Sequence, residues 1–278
     1  DLHLLDDYKE VESIEIPKNL FTAISNGLNY ACITPVKRPI PYGLTGKGVI
    51  VAIIDSGIDY THPEFINSDG TSRIAWLWDQ NIDGIHPQGF SIGTEYSNAD
   101  INRALASENP YSIVPSRDNA DHGTPVAAIA CGNTGAASSA TIIAVKLGFT
   151  SFSYFTRTTE IMRAIKYVTD KAIEMNMPCS INLSYGSNEG SHTGQTLFES
   201  FINDSTTRWK TCITAASGNE GASGHHYYNV LKQGQTLEIF FTIASNARSM
   251  YISLWKNFVD DITFELITPS GYSTGVIS

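Results

Sequence analysis

Apolar residues along this chain recur in two rhythms, and the change from one to the other divides it. Residues 48 to 54, "GVIVAII", form a short β-branched run that stops at Asp55-Ser56-Gly57, as a strand buried on both faces would. "ATIIAVKLG" (140–148), "CSINLSYG" (179–186) and "KTCITAASG" (210–218) predict further buried strands. Between them lie helical patterns. "HGTPVAAIACG" (122–132) predicts a helix ended by Gly132. In "TTEIMRAIKYVTDKAIEMN" (158–176), Ile161, Ile165, Val168, Ala172 and Met175 share one face, and Thr158 or Thr159 is the candidate N-cap. "TLFESFINDSTTRW" (196–209) predicts another helix. Strands alternating with helices specify an α/β fold with a mainly parallel sheet, whose chemistry belongs at the carboxyl ends of the strands.

After about residue 225 the period shortens to two. Leu237, Ile239, Phe241 and Ile243 alternate in "QTLEIFFTIAS", and Ile262, Phe264 and Leu266 alternate before a turn at Pro269-Ser270-Gly271. Such strands without helices predict the start of an antiparallel, jelly-roll-like sheet over 225–278. At the other end, residues 1–27 offer one strand-like stretch, "VESIEIPKNLF", and then the Pro- and Gly-rich "TPVKRPIPYGLTGKG" marks a boundary. The expected organisation is a separate segment 1–27, an α/β domain 28–224 and a β-rich segment 225–278.

Bulk properties remove some function classes. A net charge of −10 argues against non-specific nucleic-acid binding, which relies on basic surface. The longest clean apolar run falls far short of the ~20 residues needed to span a bilayer. "DLHLLDDYKE" is not a signal peptide, so the start at Asp1 reads as clipped or processed. The four cysteines, Cys32, Cys131, Cys179 and Cys212, have no short metal-ligand spacing and read as reduced, buried small hydrophobes.

Three residues carry candidate chemistry. Asp55 ends a buried strand, where a carboxylate can accept the Nδ1 proton of an imidazole and fix its tautomer; an ordinary turn aspartate is the alternative. His122 opens a helix, where the positive end of the dipole favours a neutral ring, as a general base requires; a polar capping histidine is the alternative. Asn219, in "AASGNEG", carries an amide NH₂ that can face a developing oxyanion, or is a plain turn asparagine. His62 reads as structural. His225 and His226 point to opposite sides of an extended chain, so no catalytic metal and no cofactor is expected.

In this order, "IIDSGID", "HGTPVAAIACG", "INLSYG" and "AASGNEG" resemble the motifs of the subtilase family of serine proteases over roughly residues 45–224. The resemblance implies a subtilisin-like fold, incomplete in this chain. It makes Asp55 the orienting acid, His122 the general base and acid, and Asn219 the oxyanion donor. Ser184, Tyr185 and Gly186 would line the substrate cleft and add a peptide substrate as an extra strand. "DGTSRIAWLWDQ", "GTEYSNADINRAL", "TTEIMRAIKYV" and "FINDSTTRWKTCI" are similar to the clostridial branch that includes the Csp germination proteases. That branch carries a jelly-roll insertion, and its propeptide can stay bound, so 1–27 would be a propeptide remnant.

Two departures matter. Pro125 follows "HGT" where many subtilases have histidine or another residue, and proline is tolerable in a first helical turn. The nucleophile motif GTSxA is absent from the sequence. "GYSTG" (271–275) fits a nucleophile elbow, but that pattern has meaning only on a strand-to-helix turn, and Ser273 follows an antiparallel pattern. Ser56 and Ser217 lie within the acid and oxyanion motifs and have no base-bearing geometry of their own. The nucleophilic serine is therefore expected outside this chain, on the remaining part of the same protein. The expected partners are a peptide or protein substrate, that remaining part and the propeptide; no nucleic acid and no membrane are expected. The expected location is secreted or spore-associated in a bacterium. A catalytically inactive regulatory pseudoprotease is the alternative to an endopeptidase.

Overall fold

A computed structural model describes residues 23–149, 156–243, 245–248 and 250–278. The strand expected in "VESIEIPKNLF" lies outside the described residues. The described chain opens with two short helices, α1 (Ala23–Tyr30) and α2 (Ile33–Lys37), so α1 runs across position 27, and Pro35 sits in the first turn of α2. Neither helix follows from the apolar pattern.

Six strands build one sheet: β1 (Ile50–Asp55), β2 (Ile74–Asp79), β3 (Thr94–Ser97), β4 (Thr141–Lys146), β5 (Cys179–Leu183) and β6 (Thr211–Ala215). Their order is β3-β2-β4-β1-β5-β6, parallel throughout except for β3, which runs antiparallel to β2 at one edge. β1 is central and buried along its whole length, which explains its uninterrupted apolar run. β2 and β3 escape the sequence pattern because "IAWLWD" and "TEYS" mix buried and half-buried positions near an edge.

Helices cover both faces. Val51 and Ile53 of β1 join a core with Ile101 and Ala104 of α3 (Asn98–Leu105) and Ala127 and Cys131 of α4 (Gly123–Cys131). Ile50, Ala52 and Ile54 face the opposite core, with Ile161, Ile165, Val168 and Ala172 of α5 (Thr158–Glu174). Each such side chain is worth about 1.5–3 kcal/mol when fully buried, so alternation along one strand binds both helix layers. α6 (Leu197–Arg208) closes the second face near β6.

Helix ends follow local chemistry, with one correction. Capping boxes, Ser97 with Asp100 and Thr196 with Glu199, start α3 and α6. Neither Thr158 nor Thr159 caps α5: the N-cap position is Arg157, without a side-chain cap, and the Thr159 hydroxyl donates to Glu160 Oε2 at 2.7 Å. Gly132 ends α4.

The cysteine expectation holds for two residues and fails for two. Cys131 and Cys179 are buried, and burial pushes each thiol up to about 12. Cys32 and Cys212 are free but exposed. Cys32 lies between α1 and α2 in a left-handed conformation (φ 57°), and Cys212 sits on β6, which is half-buried at most along its length.

Beyond Ala215 the described residues contain no helix or strand. The strands expected from the alternation after 225 are not formed: Ile239, Phe241 and Ile243 are about half exposed. The bridges Phe264–Ile277 and Ile267–Ser273, with backbone bonds from Thr274 N to the Leu266 carbonyl and from Thr268 N to the Tyr272 carbonyl, fold the chain back around the predicted turn. Alternation specifies which face of a strand is apolar, but a strand also needs neighbours for its N–H and C=O groups and a surface to cover that face.

Candidate active site

In a parallel sheet every strand ends at the same edge, and here that edge gathers the candidate residues. Asp55, Lys146 and Asp79 end β1, β4 and β2 in one register row. β5 leads into Ser184-Tyr185-Gly186, and β6 leads to Asn219.

The structure brings Asp55 and His122 together. His122 Nδ1 and Asp55 Oδ1 are 2.7 Å apart, with the carboxylate side chain 1% exposed and the ring 54% exposed. A buried carboxylate on Nδ1 holds the proton there and leaves Nε2 as the acceptor, which is the arrangement of a general base. Asp55 Oδ1 also accepts from the Ser56 backbone N–H at 2.7 Å, while its buried Oδ2 has no partner among the described residues.

Close approach depends on glycine. A Cβ on Gly123 would lie 2.1 Å from the Gly57 carbonyl oxygen and 3.0 Å from Asp55 Cβ, so α4 can reach β1 only without a side chain there. Gly57 itself takes φ 133°, with the backbone of Arg117 and Asp118 pressed against it.

His122 occupies the N-cap position of α4, yet its side chain caps nothing because the ring is engaged with Asp55. The first N–H groups of the helix are satisfied from elsewhere. Ser56 Oγ accepts from Gly123 N at 3.0 Å, and Asp118 Oδ2 accepts from Thr124 N at 2.8 Å and Thr124 Oγ1 at 2.7 Å. Asp118 Oδ1 accepts from Ser56 Oγ at 2.8 Å and Ala120 N at 3.3 Å. Burial would raise the Asp118 carboxyl, but the bonds from Thr124, Ser56 and Ala120 outweigh it and hold the group below the usual carboxylate range. Ser56, Asp118 and Thr124 were not singled out from the sequence as members of the site. The available signal was an aspartate shortly before a helix start.

Beneath this corner is a buried polar cluster. Lys146 Nζ donates to the Arg117 carbonyl at 2.6 Å and lies 3.7 Å from Asp79 Oδ2, which accepts from Ser116 Oγ at 2.6 Å. Outside it, Asp59, Tyr111, Arg117, Asp118, Asp121 and Thr124 are among the residues lining a polar cavity of about 580 Å³.

The other expected residues lie beyond the ends of β5 and β6. Asn219 is exposed at a bend beyond β6. Ser184 Oγ accepts from Asn182 Nδ2 at 2.8 Å, Tyr185 is half-buried and Gly186 is exposed, with open space where a Cβ would be. Burial raises the Tyr185 hydroxyl, and the nearby Asp55 and Asp118 carboxylates raise it further against a bond with Thr156.

His62 caps a short turn at Pro63–Phe65, accepting from Glu64 N at 3.3 Å. His225 Nδ1 lies 3.1 Å from Glu220 Oε2, and His226 stacks on His192 at 4.7 Å. Among the described residues no group of three or more His, Cys, Asp or Glu side chains is arranged to hold a metal. No helix among them is long and apolar enough to cross a membrane. Ser273 lies in the bridged turn with its hydroxyl on Glu265, without the strand-to-helix geometry of a nucleophile elbow.

Comparison with known proteins decides the family. A model of the subtilase family matches residues 46–258. The chain belongs to the subtilase family. It is 29% identical over 204 residues to subtilisin E of Bacillus subtilis (strain 168), covering 69% of this chain and 40% of that protein. The match to a subtilisin of Bacillus pumilus has the same identity and covers 56% of it. The CspB protease of Clostridium perfringens superposes with a TM-score of 0.74 at 33% identity, over 91% of this chain and 52% of that one. This subtilase is therefore of the clostridial type, with a subtilisin-like α/β fold. The chain spans 40% of the length of subtilisin E and about half of the CspB protease.

Proposed function

We propose that this chain carries the acid–base half of a bacterial subtilisin-like serine endopeptidase whose nucleophilic serine lies outside residues 1–278. The observation that carries the reading is the 2.7 Å contact between a buried Asp55 and a half-exposed His122 at the carboxyl edge of the sheet. A structural histidine has no need of a buried carboxylate at one nitrogen and open space around the other side of the ring. The absence of GTSxA from the sequence, and the exposure of β6 at the sheet edge, support placing the nucleophile elsewhere in the protein.

In this reading serine attacks the peptide carbonyl while His122 Nε2 takes its proton and then returns it to the leaving amine. Asp55 keeps the ring in the required tautomer and stabilises the imidazolium. Asn219 donates its amide N–H to the oxyanion. Ser184-Tyr185-Gly186, continuing β5, pairs with an extended substrate through backbone hydrogen bonds. Residues 1–27 are a propeptide remnant, 28–224 the N-terminal part of the catalytic domain, and 225–278 the start of a jelly-roll insertion whose strands, unpaired among the described residues, need neighbours from the rest of the protein. The protein acts outside the cell or on the spore.

The test is labelling of the full-length protein with a fluorophosphonate probe alongside hydrolysis of a peptide substrate. Labelling of one serine beyond residue 278, lost in His122→Ala, is the expected result. A full-length protein that neither labels nor hydrolyses overturns the reading in favour of a regulatory pseudoprotease.

A further inference from the structure

We propose that Asp118 is a positioning residue for the acid–base pair, holding the first turn of α4, and with it His122, against Asp55 through Ser56 and Thr124. The inference rests on the protease reading above only for its kinetic consequence; the positioning itself is a statement about the His122 ring.

Three observations carry it. The first is that both sides of the Asp55–His122 contact are tied to one carboxylate. On the acid side, Ser56 gives its N–H to Asp55 Oδ1 and its hydroxyl to Asp118 Oδ1. On the base side, Gly123 N donates to that same Ser56 hydroxyl, and Thr124 donates its N–H and its hydroxyl to Asp118 Oδ2. The second is that the Asp118 carboxylate is saturated as an acceptor. It takes Ser56 Oγ, Ala120 N, Thr124 N and Thr124 Oγ1, so neither oxygen is free to serve a substrate or a metal. The third is that the helix has no slack. Gly123 already lies against the Gly57 carbonyl and Asp55, so a small shift of the first turn is passed to the neighbouring His122 rather than absorbed.

The segment bearing Asp118 is itself anchored. Lys146 Nζ holds the Arg117 carbonyl, and Ser116 is bonded to Asp79, so the chain just before Asp118 is fastened to the ends of β4 and β2. An ordinary helix cap would affect only stability. This one links the two members of the pair, so it acts on geometry as well.

Asp118→Asn is the informative change because it keeps shape and removes one acceptor. The rigid Thr124 N–H selects the amide oxygen, which turns the new NH₂ group toward Ser56 and Ala120, both of which were donating. In the full-length protein the expected result is a fall in kcat of roughly 10- to 100-fold, the scale of a displaced catalytic group, with KM changed less than about twofold. The low-field proton resonance of His122 Nδ1–H should broaden or move upfield. Ser56→Ala should act in the same direction, and the double variant should lose no more than the worse single one, since all three break one network.

A variant with lowered Tm but wild-type kcat and an unchanged His122 resonance would make Asp118 a plain helix cap and overturn the proposal. If Asp118→Asn does not fold, Ser56→Ala decides on the same readouts. If the wild-type protein shows no turnover, the protease reading fails, while the His122 resonance still reports whether Asp118 positions the ring.

Discussion

Two corners of the same sheet edge differ sharply. At the β1 and α4 corner, Asp55 is buried, Gly123 is in tight contact, and every first-turn donor named above has an acceptor. At the β6 corner, Asn219 is exposed at a bend, and the strand leading to it is exposed at most positions. Both corners carry motifs of similar clarity in the sequence. What separates them is that the first is closed by residues within this chain, packed from both faces, whereas the second has cover on one side only, from α6. A motif therefore marks candidate residues at both corners but implies preorganised geometry only where packing surrounds it.

The largest expected effect tests the closed corner. His122→Ala in the full-length protein should lower kcat on the order of 10⁶-fold, the scale known for loss of the base in subtilisin. A loss below a hundredfold in steady-state hydrolysis would break the assignment of a base to this corner. Next comes the open corner: Asn219→Ala should lower kcat roughly 10²- to 10³-fold, as expected for one oxyanion donor, and leave Tm unchanged. A marked drop in Tm would show that Asn219 has a structural role that its exposure argues against.

Stability should respond in the opposite sense. Gly123→Ala forces a Cβ onto the Gly57 carbonyl and should cost about 1–3 kcal/mol in urea unfolding, with a separated acid–base pair. Arg73→Met removes a guanidinium that bonds the Cys131 carbonyl at 2.7 Å, the Ala140 carbonyl at 2.9 Å and Asn133 Oδ1 at 3.1 Å. Leaving those acceptors, at the end of α4 and in the loop from it to β4, unpaired should cost about 1–3 kcal/mol, again read from the urea midpoint. Losing nothing would mean that water replaces the arginine.

The mildest probe compares the regions without mutation. Iodoacetamide at neutral pH should label Cys32 and Cys212 and leave Cys131 and Cys179 untouched until denaturant is added, because burial keeps the latter two protonated as well as inaccessible. Peptide mass mapping reads the result. Early labelling of Cys179 would show that β5 opens with its exposed neighbour β6.

Much of this was legible in advance where one rule dominates. The run "VIVAII" read as a buried parallel strand, because burial on both faces removes any polar alternation. α5 followed from its apolar stripe, and the motifs singled out Asp55 and His122, which the fold brings to 2.7 Å. β2 and β3 were not legible, because a half-covered edge mixes Trp76 and Glu95 with buried neighbours and blurs both periods. Nor was the open state of 237–243, where Leu237, Ile239, Phe241 and Ile243 alternate yet the last three remain about half exposed.

By itself the sequence determined the strand and helix periods, the family motifs and their order along the chain. These are local patterns, set by backbone geometry and by which side chains can do a given chemistry. Only the tertiary structure decided that Asp118 and Ser56 tie the two members of the pair together, that Gly123 must lack a side chain, and that Cys212 and Asn219 lie open. Those facts depend on how residues distant along the chain approach one another, and such approaches are fixed by packing rather than by spacing.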